Sequence, residues 1–215
     1  LLPTDFSEYS RMTADMVSDI PGEHEIILLH VAEGGSVSTR RIIGNHQPSS
    51  SSVEQSLEAE KVRLVARGNT VRTIILKADG RDIPGLILSY ARKEQVDLIM
   101  LGARGKGVVE GLLLGSVSSK IVRNATTDVL ITHHPGLALP FQKSVEPKTN
   151  QTPLFSRVLY PVDFSKPCIE RLSSLMARSF IDEIVLLNII PNADNRKELD
   201  QAISGAYLQL QDLGK

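Results

Sequence analysis

From residue 25 to residue 132 the chain repeats one pattern, a short run of consecutive apolar residues followed by a stretch with helical spacing. The runs at 25–31, 71–76, 96–101 and 129–132 do not alternate apolar with polar, so both faces of each must be covered. A parallel sheet with helices on either side meets that demand, and a sheet with one wet face does not. Counting the strand that opens the chain, strand and helix alternate five times. The expectation is an α/β fold built on an open, doubly wound parallel sheet. Local signals place the helices. Ser7 caps one with the apolar face Tyr9, Met12, Met16, Val17 and Ile20, and Pro21-Gly22 ends it. Another, after a Ser-rich loop at 49–52, carries Val53, Leu57 and Leu64, and a third begins near Pro84 with Leu86, Ile87, Tyr90 and Ala91.

The apolar run at 96–101 feeds directly into glycines. Gly102, Gly105 and Gly115-Ser116 form G-x2-G-x9-G-S, and Val117, Ile121, Val122 and Ala125 then continue at helical spacing. Glycine permits a positive φ where the backbone leaves a strand and lets a ligand approach without meeting a Cβ. Ser116 reads as the N-cap of the new helix. Bare amides beside a helix N-terminus make an anion cradle. Arg104, Lys106 and Lys120 add positive charge, and Glu110 opposes it. The same spacing also suits a plain connector, with Arg104 and Lys106 as solvated loop charges. Two familiar phosphate loops are excluded. Gly105-Lys106 is followed by Gly107 rather than Ser or Thr, and Glu110 stands where a dinucleotide fingerprint needs glycine. Ligands of open parallel sheets bind beyond the carboxyl ends of the strands, where Asp5 and Gly102 both fall.

Composition narrows the function classes. With 24 basic and 25 acidic residues and a net charge of −1, no global field draws the chain to nucleic acid or an anionic membrane. No apolar run approaches the roughly 18 residues that span a bilayer. The single Cys168 makes no internal disulfide and there is no Cys-x-x-Cys pair for zinc, so a soluble protein of the reducing cytoplasm is expected. The first residue is Leu1 rather than Met, which suggests a short missing upstream piece.

The chain also matches itself. At a shift of 158 residues, the block 1–7 falls on 159–165 and the block 25–31 falls on 183–189 without an insertion. Two blocks in one register argue for duplication. In the second copy Ser165 caps a helix with Pro167 in its first turn and Ile169, Leu172, Met176 and Phe180 following. A Pro-containing polar stretch at 135–155 reads as a linker between a domain at 1–134 and a second at 156–215. Position 215 falls on position 57 of the first copy, so the second copy is expected to be incomplete.

Together the G-x2-G-x9-G-S run and the block Pro3-Thr4-Asp5-Phe6-Ser7 resemble the universal stress protein family, in a tandem two-domain form and in its ATP-binding branch. The resemblance covers 1–134 and the opening third of a second domain. It implies an adenine nucleotide alpha hydrolase-like fold, with five parallel strands in the order 3-2-1-4-5 and pairing through the fifth strand, as a homodimer or an intrachain pseudo-dimer. It implies ATP, ADP or AMP across the ends of strands one and four, with Mg2+ accompanying ATP. Pro3 and Asp5 would lie against the nucleoside, Val31 would meet the adenine edge through its backbone, and Leu101 and Gly102 would pass beside the ribose. Arg104, Gly105, Gly115, Ser116 and Val117 would hold the phosphates. The function implied is a stress-response regulator in which the nucleotide acts as a conformational or assembly signal.

Other readings stand beside this one. A slow ATPase or phosphotransferase would need a positioned base, for which Glu110 is the loop's carboxylate, and a partner-binding module with a vestigial site is a third class. Asp5 and Ser7 also suit a turn and helix cap. Adjacent His133 and His134 face opposite ways on a strand and do not form one metal site. His30 aligns with Asn188, as a polar strand-end residue rather than a catalytic one would. Cys168 opens a helix without a visible partner, and Glu54, Glu58 and Glu60 near Lys61 read as a solvated helix face.

Overall fold

The computed structural model describes residues 1–22, 24–33, 50–105, 114–133, 154–190 and 195–214. The chain divides into two compact units, Leu1–Thr149 and Asn150–Lys215.

In the first unit, β1 (Leu2–Pro3), β2 (Glu25–Ala32) and β3 (Thr70–Lys77) form a parallel sheet in the order β1-β2-β3, and β4 (Leu98–Gly102) and β5 (Asp128–Thr132) form a parallel pair. Two hydrogen bonds at Leu1 join these sheets. The Leu1 nitrogen donates to Leu98 O at 2.7 Å, and the Met100 amide donates to Leu1 O at 2.9 Å. The helices are α1 (Glu8–Met16), continued by a 3-10 turn at Val17–Asp19, α2 (Ser50–Val65), α3 (Ile83–Lys93) and α4 (Ser116–Asn124).

The apolar strands are covered on both faces, as their runs require. Leu28 and Met100 pack with Ala14 and Val17 from the α1 side and with Val53, Leu57 and Leu64 of α2. Leu29, Ile99 and Leu101 pack on the opposite side with Ile87, Leu88 and Ala91 of α3 and Ile121 of α4. Successive residues of one strand therefore enter different cores, because strand side chains alternate between faces.

The α1 face differs from the one its spacing predicts. Its buried residues are Ser10, Thr13 and Ala14, with Val17 in the following turn, while Tyr9 and Met12 are only half-buried. Small side chains let α1 approach β4 closely, and a Cβ at Gly102 would stand 3.2 Å from Thr13 Oγ1 and 3.6 Å from Tyr9 Cβ. The solvated face expected of Glu54, Glu58 and Glu60 also changes. Glu60 is buried and pairs with Arg63, which also reaches Asp15 on α1, whereas Glu58 stays exposed beside Lys61.

The second unit holds β6 (Arg157–Pro161) and β7 (Glu183–Leu187) in a parallel pair, with α5 (Lys166–Met176) and α6 (Arg196–Leu213). Its opening reproduces the first unit at the 158-residue shift. Leu2↔Leu28 and Pro3↔Leu29 become Tyr160↔Leu186 and Pro161↔Leu187. The Thr4 amide donates to Leu29 O and the Val162 amide to Leu187 O, both at 2.8 Å. Most of the 135–155 stretch expected as a linker lies outside the described residues.

Candidate functional site

The exit from β1 is a tight polar turn. Phe6 has φ 60°, a left-handed conformation that a bulky residue adopts only under local constraint. That reversal lets the Ser7 amide donate to Asp5 Oδ1 at 2.9 Å and the Phe6 amide to Thr4 Oγ1 at 3.1 Å. Ser7 then caps α1, its Oγ accepting the Ser10 amide at 3.2 Å. Asp5 and Ser7 are thus a turn and cap pair, and the turn also aims the carboxylate. Its second oxygen lies against the glycine loop, 2.5 Å from where a Cβ on Gly105 would be. His30, at the end of β2, donates from Nδ1 to Thr4 O at 2.8 Å and packs on Phe6 with ring centroids 4.6 Å apart. Asn188 makes the matching bond to Val162 O at 2.7 Å, and Phe164 repeats the left-handed turn at φ 59°. No sequence signal marked Phe6 or Phe164 for that conformation.

The glycines of the loop do not supply the positive φ expected of them. Among the described glycines a positive φ occurs at Gly22, Gly68 and Gly80, not at Gly102, Gly105 or Gly115. Space decides at the first two. A Cβ at Gly102 would crowd Arg104 O at 3.1 Å, and one at Gly105 would collide with Asp5, whereas Gly115 has only ordinary contacts. Gly115 rather than Ser116 occupies the N-cap of α4, with an extended backbone and no side-chain cap bond. Ser116 is the first helical residue. The first intrahelical bond runs from the Ser119 amide to Gly115 O at 2.9 Å, so the amides of Ser116, Val117 and Ser118 precede it.

The charges of the loop also sort themselves. Arg104 is buried, with 8% of its surface exposed, and is not a solvated loop charge. Lys120 is paired 2.9 Å from Asp82, the N-cap of α3, and does not stand as an additional free charge near the loop. That contact, with the Gly85 amide behind it, holds the Asp82 carboxyl below its ordinary range. Lys106 and Glu110 lie outside the described residues, as does His134.

All ten residues singled out from the sequence line one cavity of about 550 Å³: Pro3, Asp5, Val31, Leu101, Gly102, Arg104, Gly105, Gly115, Ser116 and Val117. Its rim is the ends of β1, β2 and β4 together with the start of α4. Leu29, Val53, Ile83 and Ile87 add apolar wall, and Thr4, Ser10, His30, Glu33 and Ser118 add polar groups. Neither Ile83 nor Ile87 was expected at the cavity, since the helical spacing marks Ile87 only as part of a core face and Ile83 precedes the predicted start of that helix. A volume of this size suits a small organic ligand, and its lining combines apolar side chains with a helix N-terminus. Among the described residues no cluster of three or more His, Cys, Asp or Glu could hold a metal ion. No described helix is long and apolar enough to cross a membrane.

A parallel α/β unit with a ligand-sized cavity beyond its strand ends is one class of binding fold. The chain belongs to the universal stress protein family, whose sequence profile matches residues 1–133. Universal stress protein MJ0577 of Methanocaldococcus jannaschii is 26% identical over 148 residues, covering 61% of this chain and 91% of that protein. Its solved structure superposes with a TM-score of 0.50 over 60% of this chain and 91% of that one. Universal stress protein MJ0531 of the same organism is 41% identical over 49 residues, 23% of this chain, and the chain spans only 29% of that relative's length. A universal stress protein from Archaeoglobus fulgidus shares the fold at a TM-score of 0.54 and 22% identity, covering 96% of this chain and 71% of that one.

Proposed function

We propose that the first unit binds an adenine nucleotide in this cavity and that occupancy acts as a conformational or assembly signal. The observation that carries the reading is the convergence of the β1 exit, the β2 end, the glycine loop and the α4 N-terminus on one cavity. The base fits the apolar lining, where Val31 offers backbone groups at the strand end. The Asp5 carboxylate, aimed by its turn, accepts hydrogen bonds from the nucleoside, and Leu101 and Gly102 pass the ribose. The phosphates lie at Arg104, Gly105, Gly115, Ser116 and Val117, where amides and a cation meet negative charge. ATP, ADP and AMP share these features, and Mg2+ would arrive with ATP.

Three structural proposals accompany this one. The two Leu1 hydrogen bonds support a single sheet in the order 3-2-1-4-5. The matched turns and registers support a tandem duplication. The β5 strand has β4 on one side and, among the described residues, no strand on the other, an edge suited to a second universal stress protein domain. The test of binding is direct: protein purified without added nucleotide is denatured, the released small molecules are chromatographed, and the refolded or fresh protein is titrated with ATP in a calorimeter. Release of an adenine nucleotide or saturable binding is expected, and the absence of both would sink the reading.

A further inference from the structure

The two arms of the glycine loop, 102–105 and 115–118, are fastened to each other directly. The Gly115 amide donates to Ala103 O at 2.7 Å, and the Ala103 amide donates to Thr132 O at 2.8 Å. The Ser118 hydroxyl, on a residue only 4% exposed, donates to Gly102 O at 2.8 Å. Beneath them lies a buried hydroxyl pair, with Thr13 Oγ1 and Thr132 Oγ1 2.6 Å apart. Thr13 spends its one proton on Tyr9 O at 2.9 Å, so Thr132 must be the donor of the pair. A continuous series of bonds therefore runs from α1 through the end of β5 to the loop and on to α4.

From this geometry we infer that Ser118 is a positioning residue for phosphate, acting through Gly102 and the first turn of α4. The inference rests on the nucleotide reading of the cavity. The cradle has amides at Ser116 and Val117 on one arm and at Gly105 on the other, and a phosphate must meet both arms at once. An anion site is effective when its donors are fixed before the ligand arrives. The Gly115 to Ala103 bond sets the separation of the arms, while Ile121 and Lys120 anchor the body of α4 to the core and to α3. The Ser118 bond, three residues further along the helix, ties its first turn to the Gly102 arm. Pro3, Asp5 and Val31, at the nucleoside end, are held by the β1 turn and β2, and only Gly102, beside the ribose, is shared with the Ser118 bond.

The test compares Ser118→Ala and Ser118→Thr with the unaltered chain, titrating ATP and adenosine separately by calorimetry. Loss of one hydrogen bond's worth of fixation lowers ATP affinity about tenfold in Ser118→Ala, with a much smaller loss for adenosine, which meets only Gly102 of the braced residues, and Ser118→Thr restoring most of the loss. A loss shared equally by ATP and adenosine, no loss, or an equal loss in Ser118→Thr would overturn the inference while leaving the site in place. An unaltered chain that binds neither molecule removes the nucleotide reading and this inference with it. Hydrogen exchange without ligand decides independently: faster exchange in Ser118→Ala confined to 102–105 and 114–118 supports the brace, and unchanged exchange there overturns it.

Discussion

At the scale of single residues, the candidate site depends on what is missing from two glycines. A Cβ at Gly105 would stand 2.5 Å from Asp5 Oδ2, the movable end of a side chain, so Gly105→Ala displaces the carboxylate rather than the fold. The expected outcome is ATP affinity weakened on the order of tenfold, measured by calorimetry, with the melting temperature nearly unchanged. Gly102→Ala should behave differently, because its Cβ would meet backbone at Arg104 O and the buried Thr13. Overpacking of that kind costs about 1–3 kcal/mol, which a urea titration would register. The G-x2-G-x9-G-S spacing was legible in the sequence, but the reason for its glycines was not. A glycine required by a positive φ and one required by a neighbour's approach look alike in one dimension. The neighbours here, Asp5 and Thr13, stand near the start of the chain, far from the glycines they crowd, and are brought in by packing alone.

At the scale of elements, α4 and α3 both line the cavity and carry their own predictions. Ile121 is fully buried in the core between these helices and the sheet, so Ile121→Ala should destabilise the first unit by about 2–5 kcal/mol in denaturant unfolding. Asp82 caps α3 and pairs with Lys120 of α4, which lowers its carboxyl below the ordinary 3.8. A carboxyl depressed in the folded state contributes stability above its unfolded value and loses it as pH falls through the folded one. The melting-temperature difference between the unaltered chain and Asp82→Ala should therefore hold from neutral pH downward and shrink below about 3.8. Element positions were largely legible, since caps at Ser7 and Ser165 and the apolar runs are local signals. The buried face of α1 was not. Periodicity pointed to Tyr9 and Met12, yet close packing on β4 favours Ser10, Thr13 and Ala14.

At the scale of the whole molecule, the two units open alike but diverge further along the chain. The second repeats the β1 turn at Asp163, whose carboxyl is held below the ordinary range by the Ser165 amide and hydroxyl, but the sequence places the glycine run only in the first. For residues 1–215, which carry this glycine run once, calorimetry should therefore give one nucleotide per chain. At a ligand concentration a hundredfold above Kd, binding stabilises the unit that holds the site by about 2.7 kcal/mol. Hydrogen exchange with and without ATP should slow within 1–133 and remain unchanged within 157–187; protection of both regions would argue against a single site in the first unit. By itself the sequence determined the layered parallel architecture and the caps at Ser7 and Ser165, because each is written in short-range spacing, whereas the residues around the cavity were named only through the resemblance to a family. Only the tertiary structure decided that Phe6 turns left-handed, that Arg104 is buried, that Lys120 is paired with Asp82, and that Thr13, Thr132 and Ser118 brace the loop. Those outcomes depend on distances between residues far apart in the chain, which packing sets and local propensity does not encode.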